Sequence, residues 1–121
     1  MIEEIYKAMD AHSMWRERLA KAIDDKHIEI PVETIKVDNQ CAFGKWIYGG
    51  DIPEDIKSSE IFHNIISVHA EFHKEAAKIA ELAINHKEEE AKELMKVDSR
   101  YDQLSKNLYQ LLFQLKKQAK S

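Results

Sequence analysis

Residues 65–82 read IISVHAEFHKEAAKIAEL, and their apolar side chains recur at the three- and four-residue steps of an amphipathic helix. The pattern predicts a long helix over about residues 58–85, whose inward stripe comprises Ile61 or Phe62, Ile65, His69, Phe72, Ala76, Ile79 and Ala83. His73 follows His69 by four residues, which places both side chains on one helix face with Cβ atoms about 5–6 Å apart. The two imidazoles can therefore share one metal ion, and the spacing alone fits exposed or hydrogen-bonded histidines equally well.

Two further segments carry the same periodicity. Residues 2–25 predict a first helix whose apolar stripe comprises Ile2, Ile5, Met9, Trp15, Leu19 and Ile23. Residues 87–118 predict a last helix whose apolar seam comprises Leu94, Val97, Tyr101, Leu104, Leu108, Leu111 and Leu115. A tight reversal at Asn85 and His86 joins the long helix to the last one. His12 lies on the first stripe, and a buried polar side chain requires a partner.

The segment between the first two helices contains the residues that interrupt helical patterns. In residues 27–40, HIEIPVETIKVDNQ, Pro31 and alternating apolar residues predict an extended connector across the bundle. Residues 38–50, DNQCAFGKWIYGG, predict a short helix with Asp38 as N-cap, Cys41 in the first turn, and Gly49 and Gly50 at its end. The expected fold is all-α: an antiparallel four-helix bundle with one short, irregular helix carrying the cysteine. We expect a single domain over residues 1–121.

Composition limits the partners and the compartment. The 121 residues carry a net charge of −4 with both signs interspersed, so no nucleic-acid partner is expected. No apolar run is long enough to span a bilayer, so we expect no direct membrane insertion. The single cysteine cannot form an internal disulfide, which is typical of the reducing cytoplasm.

Four residues on three predicted elements form a candidate metal site. His12, Cys41, His69 and His73 offer three imidazole nitrogens and one thiolate, which complete a tetrahedral set for Zn²⁺. Sulfur with imidazole suits zinc better than magnesium or calcium, which prefer oxygen ligands. Three core histidines and an inert buried cysteine would give the same pattern, so spacing alone leaves both interpretations open.

The other three histidines lack such a context. His27 and His63 have no partner at metal spacing, and His86 lies among charges at a turn. We therefore expect all three on the surface, without a role in metal binding.

The segment CAFGKWIY, at residues 41–48, places Phe43, Gly44 and Trp46 after Cys41. This order resembles the signature of the chemoreceptor zinc-binding (CZB) domain family. The family also has a histidine on an N-terminal helix and a later pair of histidines four residues apart, and the matching residues here are His12, His69 and His73. The resemblance covers nearly the whole chain and favours the zinc interpretation.

The resemblance also implies a biological role. CZB domains are regulatory modules of cytoplasmic chemoreceptors and diguanylate cyclases, associated with sensing zinc or oxidants such as hypochlorous acid, and they often form homodimers. A homodimer is therefore expected, with a signalling output domain in cis or in trans. The signature residues Phe43 and Trp46, with Ile47, are expected to pack into the bundle and position Cys41, while Gly44 allows a close approach to another helix.

A zinc ion with four protein ligands has no position left for water or substrate, so we expect a switch and not an enzyme. Oxidation of the thiolate, chelation of the metal or protonation of the imidazoles would each open the site. The resulting hypothesis is a cytoplasmic zinc-binding sensor domain with a closed site of three histidines and one cysteine.

Three other functions share parts of this pattern. A di-iron bundle of the haemerythrin type also uses paired histidines, but it needs further histidines and carboxylates from the last helix. Residues 87–118 contain no histidine. A zinc hydrolase with an open site needs a general base beside the metal, whereas Glu71 and Glu75 flank the histidine pair and point off its face. A metal-free helical dimerisation module would use only the seam of the last helix.

Overall fold

The computed structural model describes residues 2–37, 39, 41–50 and 52–120, with side chains through residue 118. Within these ranges the chain folds into helices joined by turns, and none of the described residues forms a strand. Three helical rods form the bundle, and they cover residues 2–25, 60–84 and 88–120. Short helices between residues 32 and 57 cover the remaining side of the bundle. The predicted all-α bundle is confirmed.

The first rod is almost continuous. Helix α1 spans Ile2–Ser13 and α2 spans Trp15–Asp25, so only Met14 separates them. The Met14 N–H donates to the Asp10 carbonyl and the Met14 carbonyl accepts from the Arg18 N–H, both at 3.1 Å. The single helix predicted here is therefore interrupted at one residue whose backbone keeps helical geometry.

The connector that follows contains a helix where an extended segment was expected. Helix α3 spans Val32–Lys36, and the Pro31 carbonyl accepts the N–H groups of Thr34 and Ile35 at 3.0 and 3.1 Å. The prediction was wrong because a proline at the start of a helix costs no hydrogen bond, and its fixed φ suits that position. Ile35 is buried and anchors this short helix in the core.

The short helix that carries the cysteine is present, although its start differs from the prediction. Helix α4 spans Ala42–Ile47, and Cys41 is its N-cap residue, one position before the first turn. The Cys41 Sγ accepts the N–H of Gly44 at 3.3 Å, which satisfies one of the unpaired donors at the helix start. Asp38, predicted as the N-cap, lies outside the described residues.

The long helix begins after a further short one. Helix α5 spans Glu54–Lys57 and α6 spans Glu60–Ile84. The Ser59 hydroxyl accepts the Phe62 N–H at 3.2 Å and so caps α6, one residue inside the predicted boundary. From Phe62 onward, every residue of the predicted inward stripe is buried.

The last predicted helix is divided in two. Helix α7 spans Glu88–Leu94 and α8 spans Arg100–Lys120. The Ser99 hydroxyl accepts the Asp102 N–H at 3.2 Å, and the Asp102 carboxylate accepts the Asp98 N–H at 2.9 Å. These bonds start a new helix at this point, so the prediction of one helix was wrong.

The break also changes the predicted seam. Val97 lies in the turn between α7 and α8 and is 79% exposed. In the described part of α8 the buried apolar side chains are Tyr101, Leu104, Leu108, Leu112 and Leu115, and Leu111 is half-buried. The apolar face of α8 therefore keeps the predicted period, with Leu112 taking the core position assigned to Leu111.

Four residues in the described turns adopt a positive φ. They are Gly50 at 90°, Lys26 at 55°, His86 at 63° and Asp98 at 67°. Lys26 follows the end of α2 and His86 follows the end of α6, where the left-handed conformation terminates a helix, whereas Asp98 lies just before the start of α8. The predicted reversal at residues 85–86 is confirmed.

The contacts between helices define the topology. Helix α1 lies against α8 and α2 lies against α7, so the first rod is antiparallel to the last one. Helix α6 contacts α2, α3, α7 and α8 and forms the centre of the bundle, while α4 lies against α1. No described helix is both long and apolar enough to cross a bilayer.

Candidate metal centre

The four candidate ligands converge at one place in the bundle. His12 reaches it from α1, Cys41 from the start of α4, and His69 and His73 from α6. One donor atom from each residue lies within 4.8 Å of the others. The three histidines are buried and Cys41 is half-buried. Four side chains from three helical elements therefore meet inside the protein.

The distances between donor atoms fit one tetrahedral ion. Bond lengths of about 2.0–2.1 Å from zinc to nitrogen and about 2.3 Å to sulfur imply separations of about 3.3 Å between nitrogens and about 3.6 Å between nitrogen and sulfur. The Cys41 Sγ lies 3.4 Å from His69 Nε2 and 3.6 Å from His73 Nε2, and those two nitrogens are 3.0 Å apart. The set is thus arranged around a common centre.

Hydrogen bonds orient two of the imidazoles. The Nδ1 of His12 donates to the Ala8 carbonyl at 2.7 Å, and the Nδ1 of His73 donates to the Ile35 carbonyl at 3.0 Å. A carbonyl only accepts, so Nδ1 carries the proton and the Nε2 of each neutral ring keeps its lone pair for the cluster. The Nε2 of His12 is buried without a hydrogen-bond partner among the described residues, as expected for a metal ligand.

His69 is positioned in a different way. Its ring packs edge-on against Phe43 and His12, with centroids 5.0 Å away in each case. Its Nδ1 is buried and has no hydrogen-bond partner within the described part of the chain. Packing, and not an outer hydrogen bond, therefore sets the orientation of this imidazole.

Burial keeps two of the imidazoles neutral. It lowers the pKa of His12 to about 4, with a further decrease from the neighbouring His73. Burial likewise lowers the pKa of His69 to about 2, and His73 and His12 act in the same direction. Both rings are therefore neutral at physiological pH, which is the protonation state that binds metal ions.

A backbone donor faces the sulfur of Cys41. The N–H of Gly44 points at Sγ from inside α4, and a donor aimed at sulfur stabilises negative charge on it. Phe43 and Ile47 are buried and Trp46 is half-buried, as their expected packing role requires. Gly44 is buried too, next to the cysteine that it contacts.

Two backbone carbonyls that orient the histidines were not predicted from the sequence. Ala8 lies four residues before His12 on one helix, a spacing that is visible in the sequence. Ile35 was not identifiable as a partner of His73, because its carbonyl is aimed by the unpredicted α3. The three histidines that were expected on the surface, His27, His63 and His86, are exposed.

The family model described as the chemoreceptor zinc-binding domain matches residues 12–80 of this chain. The match covers more than half of the sequence, begins at His12 and includes all four converging residues. The chain belongs to the CZB family. No curated protein and no solved structure matches it.

The CZB site has a composition that suits zinc. Three nitrogens and one sulfur are borderline to soft donors, and within the described residues no carboxylate belongs to the cluster. The di-iron alternative requires bridging carboxylates, which this cluster does not provide. His12, Cys41, His69 and His73 would hold the ion, which would supply a positive charge that ties α1, α4 and α6 together.

Proposed function

We propose that this CZB domain is a zinc-binding sensor whose closed site acts as a switch. The observation that carries the proposal is the convergence of four donor atoms from α1, α4 and α6 within 4.8 Å. Four protein ligands complete the coordination of Zn²⁺, so the site is suited to structural change and not to catalysis. We accordingly propose that the domain is not an enzyme.

The response to an oxidant is proposed to begin at Cys41. It is the one ligand whose donor atom an oxidant readily converts to a poor ligand. Hypochlorous acid would transfer oxygen to the thiolate, giving sulfenic acid at Cys41 and chloride as the reduced product. Metal coordination lowers the nucleophilicity of sulfur, so Cys41 should require a strong oxidant. Oxidation of Cys41 by hypochlorous acid should therefore be faster than oxidation by hydrogen peroxide.

The ligands on α6 and the ligand at α4 differ in the contacts that would keep them in place after such a reaction. His69 and His73 belong to a helix of 25 residues with a buried face, and packing would keep them in place. Cys41 precedes a helix of six residues, which is too short to persist without its contacts. The structural change is therefore proposed to occur around α4.

Assembly is proposed to involve the face shared by α1 and α8. The seam predicted for the last helix is mostly buried within the chain, so it does not by itself support dimer formation. Tyr6, Tyr109 and Phe113 are instead 46%, 51% and 40% exposed, and Lys116 Nζ lies 4.9 Å and 4.6 Å from the rings of Tyr6 and Phe113. This aromatic surface supports a proposed homodimer with two-fold symmetry.

The context of the module is proposed from its family. A CZB domain in the cytoplasm would transmit the state of its metal centre to a chemoreceptor or diguanylate cyclase output domain, in cis or in trans. Light scattering tests the assembly part. A mass of 14.1 kDa, which is that of one chain, at micromolar concentration would contradict the homodimer.

Metal analysis tests the sensor itself. One zinc ion per chain is expected, and replacing a ligand with alanine should weaken zinc binding by about a hundred- to a thousand-fold. Cys41→Ala, His69→Ala and His73→Ala are compared with Lys45→Ala, an exposed position on α4 that should leave zinc affinity unchanged. Unchanged zinc content in both His69→Ala and His73→Ala would refute the assigned site.

Hydrogen exchange during oxidant titration tests the switch. Zinc release and faster exchange across residues 41–48 are expected together, while the amides of α6 stay protected. Cys41→Ser serves as the control for oxidation elsewhere in the chain. Modification of the methionines with Cys41 and its zinc intact would argue against oxidant sensing and leave zinc level as the stimulus.

A further inference from the structure

A cavity of about 320 Å³ opens beside the metal centre. His12, Cys41 and His73 line it on the inner side, and its apolar wall includes Trp15 and Trp46. These are the two tryptophans of the chain. A concave, mainly apolar space of this volume with a few polar groups is typical of a site for a small organic molecule.

Positive charge lies at the edge of this cavity. Lys7 and Arg18 line it together with one carboxylate, Glu4. Lys7 Nζ lies 3.8 Å from Glu3 Oε1. Both side chains are well exposed, so this ion pair is weak. A zinc ion bound by three neutral imidazoles and one thiolate would add a net charge of +1 behind the inner wall.

Arg18 is the cation best placed to meet a ligand. Its guanidinium lies 5.2 Å from the ring centroid of Trp15, which holds it over the apolar wall. Arg18 forms no ion pair within the described residues. Its planar donors suit a carboxylate or a sulfonate. The cavity thus has an apolar wall that can contact the apolar part of a ligand, and the Arg18 guanidinium that can pair with its acidic group.

We propose that this cavity binds a small amphipathic anion, with an aromatic or aliphatic body among Trp15, Phe43 and Trp46 and an acidic group that pairs with Arg18. Such a ligand would cover Cys41 from the solvent side. Binding would then shield the thiolate from oxidants, so the ligand would set the threshold of the switch. This regulatory effect rests on the proposed function, whereas the binding itself does not.

The reciprocal effect also follows from the shared residues. Three of the four candidate metal ligands line the cavity. If a bound anion changes the affinity for zinc, zinc must change the affinity for that anion by the same factor. An anion should bind more tightly to the zinc-loaded protein because of the added positive charge.

Anilinonaphthalene sulfonate is a suitable probe, because it has an aromatic body with one acidic group and accepts energy from tryptophan. We expect it to bind once per chain with tryptophan-sensitised emission, in the metal-free and the zinc-loaded full chain. Ala11→Phe should fill the cavity and raise the Kd of the probe at least ten-fold. Ala20→Phe places the same side chain at an exposed position on α2 that does not line the cavity, and the Kd should be unchanged.

Two changes at Arg18 test the acidic group. Arg18→Gln should raise the Kd of the probe about five- to ten-fold, and Arg18→Lys should recover part of the affinity because it keeps the charge. Saturating probe should slow alkylation of Cys41 by N-ethylmaleimide at least ten-fold in the metal-free protein. Circular dichroism establishes that each variant keeps the helical fold.

The outcomes separate this inference from the proposed function. Probe binding that Ala11→Phe leaves unchanged, or that Ala20→Phe weakens equally, would overturn the cavity as the site. Alkylation that the bound probe does not slow would overturn the shielding of Cys41. Failure to bind zinc would refute the proposed function alone, since probe binding to the metal-free chain is measured independently.

Discussion

Helix α6 and the segment of residues 26–59 contribute to the candidate metal centre in opposite ways. Helix α6 supplies His69 and His73 from one continuous stretch of 25 residues with a buried face along its length. The other segment supplies Cys41 and the Ile35 carbonyl from helices of four to six residues joined by turns. The two ligands on α6 are held by packing, whereas Cys41 depends on contacts that a few residues make.

This difference indicates where a bound metal contributes most. A helix of six residues is not stable by itself, so α4 depends on its buried side chains and on whatever Cys41 binds. Helix α6 would keep its position in the core without metal. Zinc therefore should order the region around α4 much more than it orders the central helix.

The largest expected effect concerns the core of α6. Phe72→Ala should lower the unfolding free energy of the metal-free protein by about 3–5 kcal/mol, because its fully buried ring leaves a cavity in the centre of the bundle. Phe43→Ala removes an equally large ring from α4, and we expect less than half of that cost because α4 can move into the space. Urea unfolding measures both. Equal costs would show that α4 is as firmly packed as α6.

Acid should destabilise the metal-free protein through its buried histidines. Unfolding returns the pKa of His12 and His69 from about 4 and about 2 to the ordinary value of 6.5, so the unfolded chain binds more protons below that value. The stability that neutral rings contribute is complete above about pH 6.5 and is lost as the pH falls toward about 4 and then about 2.

The expected loss for each ring is on the order of 1–2 kcal/mol between about pH 7 and about pH 5, measured by urea unfolding of the metal-free protein. His69→Leu should reduce this pH dependence. Ser67→Leu, on the same helix at an exposed position without a titratable group, should leave it unchanged. A His69→Leu variant with the full pH dependence would contradict the assignment of these shifts to burial.

The smallest expected effect compares two N-cap residues with the same local role. Ser59 Oγ caps α6 and Cys41 Sγ caps α4, each by accepting an N–H three residues later. Ser59→Ala should cost about 1 kcal/mol of unfolding free energy, because α6 belongs to the cooperative core. Cys41→Ala should cost less than half of this in the metal-free protein, as measured by thermal and urea unfolding. A cost at Cys41 equal to that at Ser59 would show that α4 is part of the same cooperative unit without metal.

Periodicity predicted α6 well because one apolar face runs unbroken from Phe62 to Ala83 and the 3.6-residue repeat assigns each position to it. The same reasoning failed at Val97, where the repeat continues through a break. The local pattern of Ser99 followed three residues later by Asp102 is a capping sequence, and it marked the new helix start. The local capping hydrogen bonds thus start a new helix even though the apolar repeat continues through this point.

The candidate site was predictable through side chains and not through the backbone. Helical phase and the family resemblance together predicted that His12, Cys41, His69 and His73 form one site. In the structure their donor atoms lie close together. The Ile35 carbonyl that aligns His73 has no side-chain signature, and it depends on the exact path of α3 after Pro31. A backbone partner of this kind becomes visible only when the chain path is known.

The left-handed residues at the helix ends leave room to make this protein more heat-resistant. Lys26 and His86 hold a positive φ without being glycine, a conformation that costs a residue with a Cβ atom about 1 kcal/mol. Both are exposed and neither is one of the four converging residues. The ion pair between Lys26 Nζ and Glu88, at 4.0 Å on the surface, contributes little to stability. Lys26→Gly and His86→Gly should therefore raise the melting temperature by a few degrees each while zinc affinity stays constant.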